Sequence, residues 1–217
     1  MKKFSYKLLS NAFNQSDIKE GTKVIKSKYL TISKITRKFE KYFAKKLGVN
    51  YAVMTNSGSS ANLLATSVLR NPLSIKKLKP GAEVIIPAVC WSTSLWPILQ
   101  NNLKPVFIDV ELDTFNIDLD KLEKKITKKT KAIILVHVLG LSTNMNKLMK
   151  IIKKNKLELI EDTCESLGGS YNKKKLGTYG RFGTYSFYYS HQITSGEGGM
   201  IVCNNKDDYH IVKTLRS

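Results

Sequence analysis

AIILVHVLGLSTNMNKLMKIIKKNKLELIED, residues 132–162, reads as strand, helix and strand in succession. Ala132 to His137 is a short apolar run, which predicts a buried strand. Met145 to Asn155 predicts a helix, and Leu157 to Glu161 a second strand. Two short apolar strands joined through a helix lie parallel in one sheet. The same alternation extends outward. Upstream come a strand at Pro105 to Asp109 with a helix at Leu119 to Ile126, and a buried strand at Val84 to Pro87. That strand leads into Ala88-Val89-Cys90-Trp91-Ser92-Thr93-Ser94 and another helix. Tyr51 to Thr55 predicts a strand, and Asn56-Ser57-Gly58-Ser59-Ser60 leads to a helix from about Ala61 to Leu69.

Helices are expected over 17–29 and 34–47, after an irregular segment at 1–16. Ile35, Phe39, Tyr42, Phe43 and Leu47 share one helical face, and Gly48 supplies the stop. Downstream, Gly183 to Ser190 is a β-prone run ending at His191. The turn Gly196-Glu197-Gly198-Gly199 and the apolar run Met200-Ile201-Val202-Cys203 follow, giving strand, loop, strand. The expected fold class is α/β, a mostly parallel central sheet with helices on both faces. It forms one large domain over residues 1–217, with no internal repeat and no linker.

Composition is that of a globular protein large enough for a substantial core. No apolar run approaches the ~18 residues of a membrane span, and no leader follows Met1-Lys2-Lys3-Phe4. A cytoplasmic protein without membrane contact is expected. Cys90, Cys164 and Cys203 are far apart and odd in number, so no disulfide framework is implied. The net charge of +19 raises nucleic-acid binding. Only four of the 36 basic residues are arginine, however, and lysine groups such as Lys173-Lys174-Lys175 read as solvated faces. Nucleic acid is therefore not an expected partner; a basic surface equally favours an anionic, nucleotide-linked substrate.

In such folds ligands sit beyond the carboxyl ends of the strands. Gly58 and Ser59 lie between a strand and a helix, where free amides meet anions, or where a simple N-cap turn sits. Trp91 follows a strand and reads either as a stacking ring or as core. Asp162 ends an apolar strand, where a buried carboxylate wants a cationic partner such as a protonated ring nitrogen. Glu165 is close enough to reach the same ligand if the turn is helical; otherwise it caps a helix. Ser186 is a donor for a phosphate or an in-strand hydroxyl. His191 is a candidate acid-base group. His137 either faces the ligand or is a satisfied core histidine, and no role falls to His210. No metal site is assigned.

These residues resemble the DegT/DnrJ/EryC1/StrS family, pyridoxal-phosphate enzymes of fold type I acting on nucleotide-linked keto-sugars. The resemblance rests on Tyr51-Ala52-Val53, Ser57-Gly58-Ser59-Ser60-Ala61-Asn62-Leu63-Leu64, Gly81-Ala82-Glu83-Val84-Ile85 and Pro105-Val106-Phe107-Ile108-Asp109. It continues through Lys129-Thr130-Lys131-Ala132-Ile133, Ile160-Glu161-Asp162 and Gly196-Glu197-Gly198-Gly199. It implies that Gly58, Ser59 and Ser186 hold the cofactor phosphate, that Trp91 stacks on the ring and that Asp162 pairs with its nitrogen. Glu165 would lie near the 3-hydroxyl.

The family's aminotransferases carry a Schiff-base lysine where this chain has His191, and no lysine lies between Lys175 and Lys206. Asp162-Thr163-Cys164-Glu165-Ser166-Leu167-Gly168 and Tyr189-Ser190-His191-Gln192-Ile193-Thr194 resemble the 3-dehydratase branch. That branch implies pyridoxal or pyridoxamine 5′-phosphate held non-covalently, a nucleotide-linked 4-keto-6-deoxy sugar as substrate, glutamate as amino donor and a homodimer. It also implies loss of the C3 hydroxyl with His191 as the proton carrier, in deoxysugar and polysaccharide biosynthesis. Cys164 matches one cysteine of an iron–sulfur cluster found in a related dehydrase; the cluster is not expected here. The resemblance further implies a C-terminal small domain missing from this chain. A sugar aminotransferase and a non-catalytic fragment stay open as alternatives.

Overall fold

The computed structural model describes residues 12–217. In chain order the elements are α1 (Gln15–Lys26), α2 (Lys34–Leu47), β1 (Tyr51–Thr55), α3 (Gly58–Arg70), β2 (Glu83–Pro87) and α4 (Ser92–Gln100). There follow β3 (Lys104–Ile108), α5 (Leu119–Lys125), β4 (Thr130–Val136), α6 (Met145–Asn155) and β5 (Glu158–Asp162). The chain continues through β6 (Ser170–Tyr171), β7 (Lys174–Lys175), β8 (Phe182–Ser186), β9 (Gly199–Cys203) and α7 (Lys206–Arg216).

Local chemistry sets many of these boundaries. Asn144 opens α6 by accepting from the Lys147 amide at 3.0 Å, and Lys156 closes it in the left-handed region at φ 53. Ser33 and Gly48 bound α2 in the same manner. Helix α1 begins at Gln15, inside the stretch expected to be irregular, because Asn14 and Asp17 form a reciprocal capping box. It stops at Lys26 rather than at residue 29. The rest of the irregular segment, residues 1–11, lies outside the described residues. On α2, Phe43 is buried and Phe39 and Leu47 pack beside it, whereas Ile35 and Tyr42 are exposed.

Seven strands form the sheet in the order β1-β9-β8-β5-β4-β2-β3. β3, β2, β4, β5 and β8 run parallel; β9 is antiparallel to both β8 and β1. The carboxyl ends of β1, β2, β4, β5 and β8 therefore share one edge. Side chains alternate between faces along a strand. Ala132, Ile134, Ile160 and Phe182 pack in the cluster that includes Ala61, Ala65 and Ile98 of α3 and α4. Ile133, Leu135 and Leu159 pack with Leu122, Leu148 and Ile151 of α5 and α6. The sheet is thus covered on both faces, as α/β alternation requires.

At the opposite edge a half-buried Arg181 bonds Asp208 at 2.6 and 2.8 Å, Glu158 at 3.3 Å and Ser74 at 2.8 Å. Its acidic partners are buried. Arg181→Met leaves Asp208 as a buried charge without its cation, and lowers unfolding free energy by about 3–5 kcal/mol. Denaturant titration of the two proteins measures this. A loss under about 1 kcal/mol, the scale of an exposed ion pair, contradicts a buried network.

Candidate functional site

The site follows from strand alternation. Asp162 ends β5 with the parity of Ile160, so its carboxylate points toward α3 and α4. Glu161 has the parity of Leu159 and points to the other face. There Glu161 accepts from the amides of Gly177 (2.9 Å), Tyr179 (2.6 Å) and Gly180 (2.7 Å) and lies 3.1 Å from Nε2 of His137. His137 is fully buried in this contact. It is a core histidine turned away from the Asp162 carboxylate, satisfied at Nε2 while its Nδ1 has no partner among the described residues.

Asp162 is buried. Its Oδ2 accepts from Asn62 Nδ2 and from Ser94 Oγ, both at 2.7 Å. Its Oδ1 accepts from the Cys164 amide at 3.2 Å. Burial, and then the charge of Asp162, hold the thiols of Cys90 and Cys164 above their ordinary range, Cys164 well above. Among the described residues no cluster of three or more metal-ligating side chains occurs.

Gly58 begins α3 beside Ser186, the last residue of β8. A Cβ on Gly58 would stand 2.7 Å from both Cys164 Sγ and Ser186 Cβ. Ser57 occupies the Ser60 amide through Oγ at 3.1 Å and the Ala61 amide through its carbonyl at 3.1 Å. The amides of Gly58 and Ser59 are thereby left at the helix N-terminus, where an anion is favoured. Ser186 Oγ accepts from the Tyr188 amide at 3.2 Å and keeps its own proton to donate. Gly199 also requires a bare α-carbon, because a Cβ there would lie 2.2 Å from the Ser57 carbonyl oxygen.

Trp91 is 73% exposed at the start of α4. Core packing, one of its two sequence readings, is therefore excluded. Glu165 lies in a turn that is not helical, contrary to the condition set for its reach. The turn is held by the Ser166 amide bonding Thr163 O at 3.0 Å. Glu165 Oε2 instead accepts from the amide of Leu139 at 3.3 Å, a residue with φ 49. His191 sits in the loop between β8 and β9. Its ring meets Tyr188 edge-on at 5.8 Å, and its Nδ1 is buried without a hydrogen-bond partner among the described residues. The adjacent Gln192 donates to the Glu165 carbonyl at 2.6 Å, which ties the histidine loop to the turn after β5.

Gly58, Asp162 and Ser186 are thus in one cluster, with Trp91, Glu165 and His191 on the loops around it. Sequence reading missed Asn62, Ser94 and Thr184. Each is a lone polar residue inside an element, and only the fold brings it to Asp162 or to Asn62. A flat basic ring carrying a phosphate fits this donor set.

The match to known proteins agrees. The family described as the DegT/DnrJ/EryC1/StrS aminotransferase family matches residues 11–217. A solved structure of the Escherichia coli GDP-4-keto-6-deoxy-D-mannose-3-dehydratase with bound hydrated PLP superimposes with TM-score 0.93 at 40% identity. The superposition covers 98% of this chain and 54% of that one. GDP-4-keto-6-deoxy-D-mannose 3-dehydratase of Escherichia coli O55:H7 is 40% identical over 98% of this chain and 55% of its own length. The dTDP-4-dehydro-2,6-dideoxy-D-glucose 3-dehydratase of Saccharopolyspora spinosa is 44% identical over 83% of this chain and 39% of its own length. The fold is the α/β large domain of the pyridoxal-phosphate transferases. The chain belongs to the DegT/DnrJ/EryC1/StrS family. It spans about half the length of the curated relatives it matches.

Proposed function

We propose that the full-length chain is a 3-dehydratase of a nucleotide-linked 4-keto-6-deoxy sugar, using pyridoxamine 5′-phosphate held without a covalent bond. One observation carries this reading: His191, with its unpartnered Nδ1, stands on the loop that Gln192 ties to the turn after Asp162, and no lysine lies between Lys175 and Lys206. Imidazole forms no stable imine but transfers protons near neutral pH. When bound, the cofactor supplies a primary amine for the C4 ketone and a ring that serves as electron sink.

The chain's own residues supply the rest. The amides of Gly58 and Ser59 and the hydroxyl of Ser186 hold the phosphate. Trp91 covers one face of the ring. Asp162 pairs with the ring nitrogen and keeps it protonated, while Glu165, bonded to the Leu139 amide, holds the turn beside it. His191 moves the proton at C4′ and assists departure of the C3 hydroxyl. Glutamate restores the amine for the next turnover. Trp91, Leu139, Tyr189 and Ile193 stand exposed on the loops around the site, apolar area that the second subunit of a homodimer would cover.

Borohydride reduction of the full-length protein loaded with the aldehyde form tests the non-covalent holding. Peptide mass spectrometry is expected to find no specific pyridoxyl-lysine. Stoichiometric labelling of one lysine would falsify the dehydratase reading in favour of an aminotransferase.

A further inference from the structure

We propose that Asn62, Ser94 and Thr184 form a donor relay whose task is to fix Asp162, so that Oδ1 alone is offered to the cofactor ring. The inference rests on the reading that Asp162 meets the ring nitrogen. All three side chains are buried, Ser94 and Thr184 completely. Three elements contribute, α3, α4 and β8, each from the face of the sheet that Asp162 points into.

The order of the bonds gives the relay its direction. Thr184 Oγ1 lies 2.6 Å from Asn62 Oδ1. Asn62 has one acceptor oxygen and one donor nitrogen. With the hydroxyl donating to the oxygen, the amide can present only its NH₂ to Asp162, at 2.7 Å. A flipped amide would set its oxygen against the carboxylate. Thr184 is itself in register with Asp162 across the β5–β8 ladder, so backbone pairing places the first donor. Ser94 then adds the second bond to the same oxygen at 2.7 Å. Oδ2 is thus occupied by two side-chain donors, while Oδ1 has only the longer contact from the Cys164 amide at 3.2 Å. With Oδ2 taken by two donors, Oδ1 is the oxygen left to accept from a protonated ring nitrogen. The three residues are positioning residues; none needs to touch substrate.

The test uses the full-length protein loaded with cofactor labelled with nitrogen-15 in the ring, read by NMR near neutral pH. Ser94→Ala removes one donor from Oδ2, and Thr184→Val removes the hydroxyl that sets the Asn62 amide. In Ser94→Ala and Thr184→Val the ring resonance is expected to move toward that of the unprotonated ring. Thr184→Ser, which keeps the hydroxyl, is expected to retain the parent resonance. Circular dichroism melts confirm that the variants are folded. Parent-like resonances in both folded, cofactor-bound variants overturn the relay, as does a Thr184→Ser shift equal to that of Thr184→Val. Asp162→Asn separates the two levels of the argument. If it too leaves the resonance unmoved, the placement of Asp162 at the ring nitrogen is what fails.

Discussion

Asn in place of His191 removes C3 deoxygenation from the full-length chain by roughly 10²–10⁴-fold, the contribution of a positioned proton carrier, and leaves the cofactor bound. The loop that holds the histidine is anchored away from the ring. The Phe187 amide bonds the Gly198 carbonyl at 2.8 Å, the Ser195 amide bonds the Phe187 carbonyl at 3.1 Å, and Gln192 reaches the Glu165 carbonyl. None of these bonds uses the imidazole, so the amide side chain enters a loop that keeps its course. The proposed phosphate contacts lie on α3 and β8, outside the loop, so binding is expected to survive. Steady-state turnover with the nucleotide sugar, alongside cofactor titration by fluorescence, measures both quantities. Turnover within tenfold of the parent removes His191 from the chemistry.

Gly58→Val is expected to weaken cofactor binding rather than turnover of bound cofactor. Its Cβ would stand 2.7 Å from Cys164 Sγ and from Ser186 Cβ, and 3.3 Å from Ser186 Cα. Ser186 pairs with Gly199 and closes a strand that is held on its other side by β5 up to Thr184, so its backbone has little room to yield. The start of α3 must then lift, carrying the Gly58 and Ser59 amides from the phosphate. Charge-assisted hydrogen bonds contribute about 1.5–3 kcal/mol each, so displacing two weakens binding by roughly 10²-fold or more. Equilibrium dialysis reads this directly. Parent-like affinity in a folded Gly58→Val protein means that the phosphate binds elsewhere.

The parallel core was legible because its strands are short apolar runs separated by capped helices. Met145 to Asn155 matches α6 at both ends, since Asn144 and the polar residues after Ile152 mark them. Pairing between remote segments was not legible. Nothing in Met200-Ile201-Val202-Cys203 states that it runs antiparallel between β1 and β8. The hairpin of β6 and β7 was also hidden. Asn172 and Lys173 both adopt positive φ, at 48 and 66, inside a lysine group that reads as a solvated surface. At the site, residues exposed by motif and position were visible: Gly58, Trp91, Asp162 and His191. The residues behind Asp162 were not singled out, because a lone Asn, Ser or Thr within an apolar element carries no signal until the fold brings it to a partner.

The antiparallel entry of β9 has a consequence for the order in which the molecule can be made. Tyr51 pairs with Cys203 and Thr55 with Gly199, so two strands remote in sequence close one margin of the sheet. Gly199 is also packed against the carbonyl of Ser57, immediately before the phosphate cradle. Pairings of such sequence separation form late, because their loop must close before any contact rewards it. On the ribosome the parallel strands can collapse with their helices while Ser57 and Gly58 wait for a partner not yet synthesised. The turn before α3 is therefore among the last parts to become rigid during biogenesis, and a nascent chain stopped short of residue 199 has a core but lacks the strand that packs against Ser57.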